Sequence, residues 1–246
     1  TRSPESHYPM TTRRMLFLFL FSILTAAAAP KKILFIGNSY TGGIKGAVTK
    51  LIKESPHADT ELTFINPGGK TLEFHLKNKA TTDRIKSGKF DFIVLQDQSQ
   101  FPAIFPKRFD KAAVELDKII DQSGAQTVFY QTWGRRDGDK MNKERFPTYE
   151  KMQKGLSNSY SGAAQKCRAK LARVGDTWAL VRKADDKLGR ELYRGDGSHP
   201  SGKGAYLAAC VFYRTFFNEG PAKSKFTGGL TEKEVQTIRT ATNSTK

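Results

Sequence analysis

The stretch Ile33-Leu34-Phe35-Ile36 carries no polar side chain and is bounded by Lys31-Lys32 before it and Gly37 after it. A short, unbroken apolar run of this length suits a strand covered on both faces, the situation of a parallel sheet enclosed by helices. The pattern recurs along the chain. Further strands are expected at Leu62–Ile65, ended by Asn66-Pro67-Gly68-Gly69, at Phe90–Leu95, at Thr127–Thr132 and around Leu171–Val174. Between them the apolar period becomes helical: Ile44, Val48, Leu51 and Ile52 share one face, as do Phe109, Ala113, Leu116, Ile119 and Ile120 before the stop at Gly124. A long polar helix is expected over Tyr149–Lys170. Another begins near Gly202 and buries Ala205, Ala208, Val211, Phe212 and Phe216, and a Thr231-x-x-Glu234 capping box opens a terminal one. Strands alternating with helices imply an α/β domain with a five-stranded, mostly parallel sheet. Ligands of such sheets bind beyond the carboxyl ends of the strands, so the turns after the strands are where chemistry is to be sought.

The first 29 residues read differently. Arg13 and Arg14 precede the apolar run Met15–Leu24, which passes into Ala26–Ala29. A basic start, a short hydrophobic stretch and small residues at an Ala-x-Ala site mark a secretory signal peptide. The run is short of the roughly 20 apolar residues of a membrane span, although an uncleaved anchor is the alternative. Met10 and Met15 are both candidate starts. The expected organisation is therefore an extension with signal over 1–29 and one domain over 30–246, exported to a periplasm or beyond the cell, with no stable membrane span after cleavage. At 38% hydrophobic and 11% aromatic residues the composition is globular. The formal charge is +17; residues 1–29, with three arginines against one glutamate, take +2 with them and leave +15. Such a charge draws anionic partners, acidic polysaccharides among them. The lysines are scattered, however, as on an ordinary solvated surface, and no nucleic-acid motif accompanies them. Cys167 and Cys210, both on expected helices, have no metal-ligand spacing, and whether they pair is left open.

Two turns carry candidate chemistry. Gly37-Asn38-Ser39-Tyr40-Thr41-Gly42-Gly43 places a serine hydroxyl between a strand and a helix, where backbone N–H groups can receive a developing oxyanion. Ser39 or Thr41 as a simple helix cap is the competing reading. Near the other end, Gly195-Asp196-Gly197-Ser198-His199-Pro200-Ser201 sets an Asp three residues before a His in a Gly/Pro-rich loop. Serine needs a base to take its proton, and the base needs a partner that fixes its tautomer. Of the other histidines, His57 lies in a polar loop and His75 reads as structural or as part of a rim.

Taken together, Gly37-Asn38-Ser39, Gly68-Gly69-Lys70-Thr71, Gln96-Asp97-Gln98-Ser99 and Asp196-Gly197-Ser198-His199 resemble, in order, the motif blocks of the SGNH (GDSL-like) hydrolases. The similarity runs from Ile33 to Phe217 and is closest to an exported bacterial subgroup with Gly-Asn-Ser, Leu-Gln-x-Gln-Ser and Asp-Gly-Ser-His-Pro. It departs in two places: Asn38 replaces the usual Asp, and the third block lacks the usual Gly-x-Asn-Asp. The resemblance implies a three-layer α/β/α, flavodoxin-like fold and a monomer that hydrolyses esters, often short acyl groups on carbohydrates, with no metal or organic cofactor. It implies a triad of Ser39, His199 and Asp196. The oxyanion donors would be Ser39, Gly69 and Gln98, with Gln96 as the alternative to Gln98. Asn38, Gln96 and Trp133 are expected near the substrate, Trp133 alternatively as a packed tryptophan. Arg135-Arg136 read as a site for an acidic sugar or as a solvated pair. Asp97 and Asp176, near strand ends, read as turn caps rather than triad members. A non-catalytic carbohydrate- or polyanion-binding module on the same fold and an O-acyltransferase are the alternative functions.

Overall fold

The computed structural model describes Thr1 and residues 30–245; the segment read as a signal peptide lies outside the described residues. Five parallel strands, β1 (Lys32–Ile36), β2 (Glu61–Ile65), β3 (Phe92–Leu95), β4 (Gln126–Tyr130) and β5 (Lys170–Ala172), form one sheet in the order β2-β1-β3-β4-β5. This is the flavodoxin-like order, and the crevice where the order reverses lies between β1 and β3.

The all-apolar strands are explained by what covers them. Ile33 and Phe35 of β1, Phe92 and Val94 of β3, and Val128 and Tyr130 of β4 face one core. Their neighbours Leu34, Ile36, Ile93, Leu95 and Phe129 face the other. The first core is closed by α1 (Ser39–Lys53), α7 (Val174–Ala184), α8 (Asp186–Glu191), α9 (Gly202–Phe217) and α10 (Glu232–Ser244). The second is closed by α2 (Leu72–Lys77), α3 (Lys79–Ser87), α4 (Phe101–Ile104), α5 (Pro106–Gln122) and α6 (Tyr149–Lys166). The result is three layers, α/β/α. Both halves of the expected Thr231–Glu234 capping box are formed at the start of α10.

Differences from expectation are local. The polar helix α6 ends at Lys166 rather than running to Lys170, because the chain turns through a left-handed Arg168 (φ 50°). The fifth strand stops at Ala172, and Val174 opens α7 instead of closing the strand. Cys167 packs with the second core and Cys210 with the first, so the sheet stands between two free thiols. Among the described residues no helix is long and apolar enough to cross a membrane.

Candidate active site

The turn after β1 leads directly into α1. Asn38 caps that helix: its side-chain oxygen accepts the Tyr40 N–H at 3.1 Å. Ser39 is thus the first residue of the helix, where backbone N–H groups have no intrahelical acceptor. The remaining contacts of Asn38 fix the turn in place. Its backbone N–H donates to Gln96 Oε1 (3.0 Å), and its amide nitrogen donates to the Lys70 carbonyl (2.8 Å).

The loop between α8 and α9 brings His199 to this serine. Ser39 Oγ and His199 Nε2 lie 2.9 Å apart, and His199 Nδ1 lies 2.6 Å from Asp196 Oδ2. An ionised carboxylate only accepts, so Nδ1 carries the imidazole hydrogen and Nε2 keeps a lone pair for the serine proton. The other Asp196 oxygen accepts the Ser198 and His199 N–H groups, both at 2.9 Å, which folds the loop back on itself. Burial pushes the Asp196 carboxyl up. The two N–H bonds and the imidazole together outweigh it and hold the group below its ordinary value. The side chains of His199 and Asp196 are 35% and 48% exposed, so the triad opens to solvent.

The loop is braced from beneath. Tyr40, Trp133 and Trp178 form a continuous stack, with ring centroids 4.9 Å and 4.1 Å apart and planes within 10° of parallel. Trp133 Nε1 donates to the Ser198 carbonyl (2.9 Å), and Tyr40 OH meets Ser198 Oγ at 2.7 Å. From the front, Pro200 lies against Gly43 of α1; a Cβ there would come within 2.8 Å of the proline ring, so a larger residue would push the loop off the helix.

The turns after β2 and β3 follow the two strands that flank β1. Gly69 is exposed in a left-handed turn (φ 69°) that glycine adopts without strain. Among the described residues its N–H has no acceptor. Gln98 is half-buried; its amide nitrogen donates to Ser99 Oγ (3.2 Å) and its amide oxygen accepts the Gln100 N–H (3.2 Å).

Three expected substrate contacts are corrected by burial. Asn38, Gln96 and Trp133 are 1%, 0% and 0% exposed. Gln96 spends its oxygen on the Asn38 N–H and the Thr41 hydroxyl and its amide nitrogen on the Asp97 carbonyl, so it is neither a substrate contact nor a free alternative to Gln98. Trp133 is the middle of the stack, with both faces covered. Nor are Arg135 and Arg136 a solvated pair: Arg135 binds Asp139 at 2.6 Å and Arg136 binds Asp137 at 2.9 Å. Asp176 sits in the first turn of α7, holding Ser157, Gln131 and Arg173.

His75 is fully buried and donates from Nε2 to the Gly37 carbonyl at 2.8 Å. Burial drives its pKa down against the opposing pull of that carbonyl, so the ring is a neutral prop under the nucleophile turn. Tyr40 and Ser198, whose hydroxyls join the two ends of the site, went unread in the sequence. The one signal was their place beside Ser39 and His199. A concavity of about 680 Å³ between α7 and α10 is lined by Leu180, Lys183, Lys233 and Thr237 and holds none of Ser39, Asp196 and His199. The hydrogen-bonded chain from Ser39 to Asp196, not cavity size, marks the candidate site.

No family model and no curated protein matches this sequence. Among solved structures, a protein from Slackia heliotrinireducens provisionally described as an SGNH hydrolase is 28% identical, with a TM-score of 0.65 over 76% of this chain and 98% of its own. A DUF4886 family protein from Bacteroides uniformis is 18% identical, with a TM-score of 0.71 over 86% and 93%. An acetyl-xylooligosaccharide esterase from Geobacillus is 17% identical, with a TM-score of 0.54 over 77% and 95%. The chain therefore has the fold of the SGNH hydrolases.

Proposed function

We propose that the chain is a serine esterase that releases short acyl groups, acetyl foremost, from carbohydrate esters. The observation that carries this reading is the unbroken line Ser39 Oγ, His199 Nε2, His199 Nδ1, Asp196 Oδ2, with spacings of 2.9 Å and 2.6 Å and the serine at a helix N-terminus. In the proposed reaction His199 takes the Ser39 proton as Oγ attacks the ester carbonyl, and Asp196 steadies the imidazolium. Charge gathers on the former carbonyl oxygen, facing the N–H groups of Ser39 and Gly69 and the Gln98 amide. His199 then hands its proton to the departing alcohol, leaving an acyl-Ser39. Water, deprotonated by the same histidine, releases the acid and restores the serine. No step calls for a metal or an organic cofactor.

The carbohydrate assignment is supported by the Geobacillus fold neighbour, whose own substrates are acetylated xylooligosaccharides. The +15 charge that remains beyond residue 29 supports an anionic polysaccharide as the bearer of the ester. Export, to a periplasm or beyond, is proposed from Arg13 to Ala29 alone. The altered third block favours a second reading, a binding module on the same fold, because Gln98 stands where an asparagine is usual.

The deciding assay is hydrolysis of p-nitrophenyl acetate beside fluorophosphonate labelling, for wild type and Ser39→Ala. We expect turnover and labelling in the first and a loss on the order of 10⁴-fold or more in the second. Turnover that survives the substitution would remove Ser39 from the mechanism, and an unlabelled, inert wild type would favour the binding module.

A further inference from the structure

Asp97, directly before Gln98, is fully buried, and no step of the proposed reaction uses it. One carboxyl oxygen accepts the Gln98 N–H at 2.6 Å. The Leu72 N–H, in the first turn of α2 and three residues beyond Gly69, faces the same carboxyl. Its own backbone N–H donates to the Tyr160 hydroxyl of α6 at 3.1 Å. The second carboxyl oxygen, Oδ2, is buried with no hydrogen-bond partner. An orphaned buried carboxyl oxygen is costly to keep, which calls for a reason other than packing.

We propose that Asp97 is a positioning residue that joins the turn after β3 to the turn after β2, and so sets the spacing between Gln98 and Gly69. The inference rests on the esterase reading, in which those two residues receive the oxyanion. An ionised carboxylate binds N–H groups more strongly than a neutral acid does, so the link is tightest when Asp97 is charged.

The charge state is finely poised. Burial pushes the carboxyl up to about 7, against the opposing pull of the Gln98 and Leu72 N–H groups. The charged groups facing it are Glu73 of α2, which raises it further, and Arg108 of α5, which lowers it. These two are paired with each other, and Tyr160 of α6 stays protonated. As pH falls through about 7 the link loosens and catalysis should weaken with it. Stability runs the other way. The folded value lies above the unfolded one, so this group's contribution is full below pH of about 4 and is lost as pH rises through about 7.

The test compares wild type with Asp97→Asn and Asp97→Ala on p-nitrophenyl acetate from pH 5 to 9, with melting temperatures over the same range extended down to pH 4. Asn keeps an acceptor for Gln98 but cannot ionise. We expect Asp97→Ala to lower kcat about 10- to 100-fold with KM little changed, since the donors act in the transition state. Asp97→Asn should recover part of that loss and lack the part of the pH profile centred near 7. The rest of the site is common to all three proteins, so the difference between profiles isolates Asp97. The melting-temperature advantage of wild type over Asp97→Asn should shrink from pH 4 to 7 and then level off.

A wild type that turns over ester while both variants match its kcat and pH profile would overturn the positioning role alone. Should Asp97→Ala fail to fold, Asp97→Asn decides by the same profile. A wild type inert to ester and to fluorophosphonate would instead bring down the esterase reading and this inference with it. The melting curves would still report whether the buried carboxyl titrates.

Discussion

The two walls of the candidate site are built of different material. On the triad side, Asp196, Ser198 and His199 ride on stacked Tyr40, Trp133 and Trp178 and are pinned by Pro200 against Gly43. At the turns after β2 and β3, Gly69 stands in an exposed position, and Gln98 is held by polar contacts to Ser99 and Gln100 and by a half-satisfied buried carboxyl. Each buried aromatic pair adds about 0.5–1.5 kcal/mol beyond its area and does so at any pH. A polar link between turns contributes a similar net amount but depends on every partner being in the right protonation state. The wall that carries His199 and Asp196 is therefore rigid by packing, and the wall that carries Gly69 and Gln98 is adjustable by chemistry.

The largest effect expected of this division is non-additivity on the rigid side. Ser39→Ala and His199→Ala should each cost on the order of 10⁴- to 10⁶-fold in kcat, and the double variant no more than either alone, because the two act as one unit. A double variant much worse than the singles would mean that the wall is not a single device. Next comes the adjustable side. Gln98→Ala should cost about 10²–10³ in kcat if its amide meets the oxyanion, measured on a good and a poor leaving group. A cost below twofold would leave Ser39 and Gly69 as the working donors and make the third block a purely structural turn.

The smallest effect tests the brace itself. Tyr40→Phe removes the hydroxyl that meets Ser198 but keeps the ring in the stack. We expect a loss of about 0.5–1.5 kcal/mol of stability by urea unfolding and little change in kcat. A large kcat loss would show that hydrogen bonding, not stacking, positions the base, and would erase the contrast between the walls.

How far the sequence reached follows from the same physics. The strands were legible because β1, β3 and β4 are covered on both faces and need apolar residues at every position. The proximity of Ser39, Asp196 and His199 was legible because the three residues lie in two short turns that the fold brings together. The four-residue α4 and the six-residue α2 and α8 have too little length to show a period. The strand end near Val174 was misjudged because a β-branched residue opens α7 there, where tertiary packing outweighs local preference. Trp133 could not be placed because its burial is decided by Trp178, 45 residues along the chain and stacked on its face. Gln96 looked available only because nothing local shows that α1 closes over it; Asn38 and Thr41 take its oxygen.

Trp133 and Trp178 are also the chain's two tryptophans. Their indoles lie nearly parallel at 4.1 Å, and one of them is tied to the loop that carries the base. Indoles this close couple electronically, so the circular dichroism should carry an exciton signature and the fluorescence should respond to the contact. All indole emission thus originates directly beneath the loop that carries His199. Without any label, the protein carries an optical gauge of that loop, readable during ligand binding or a change of pH.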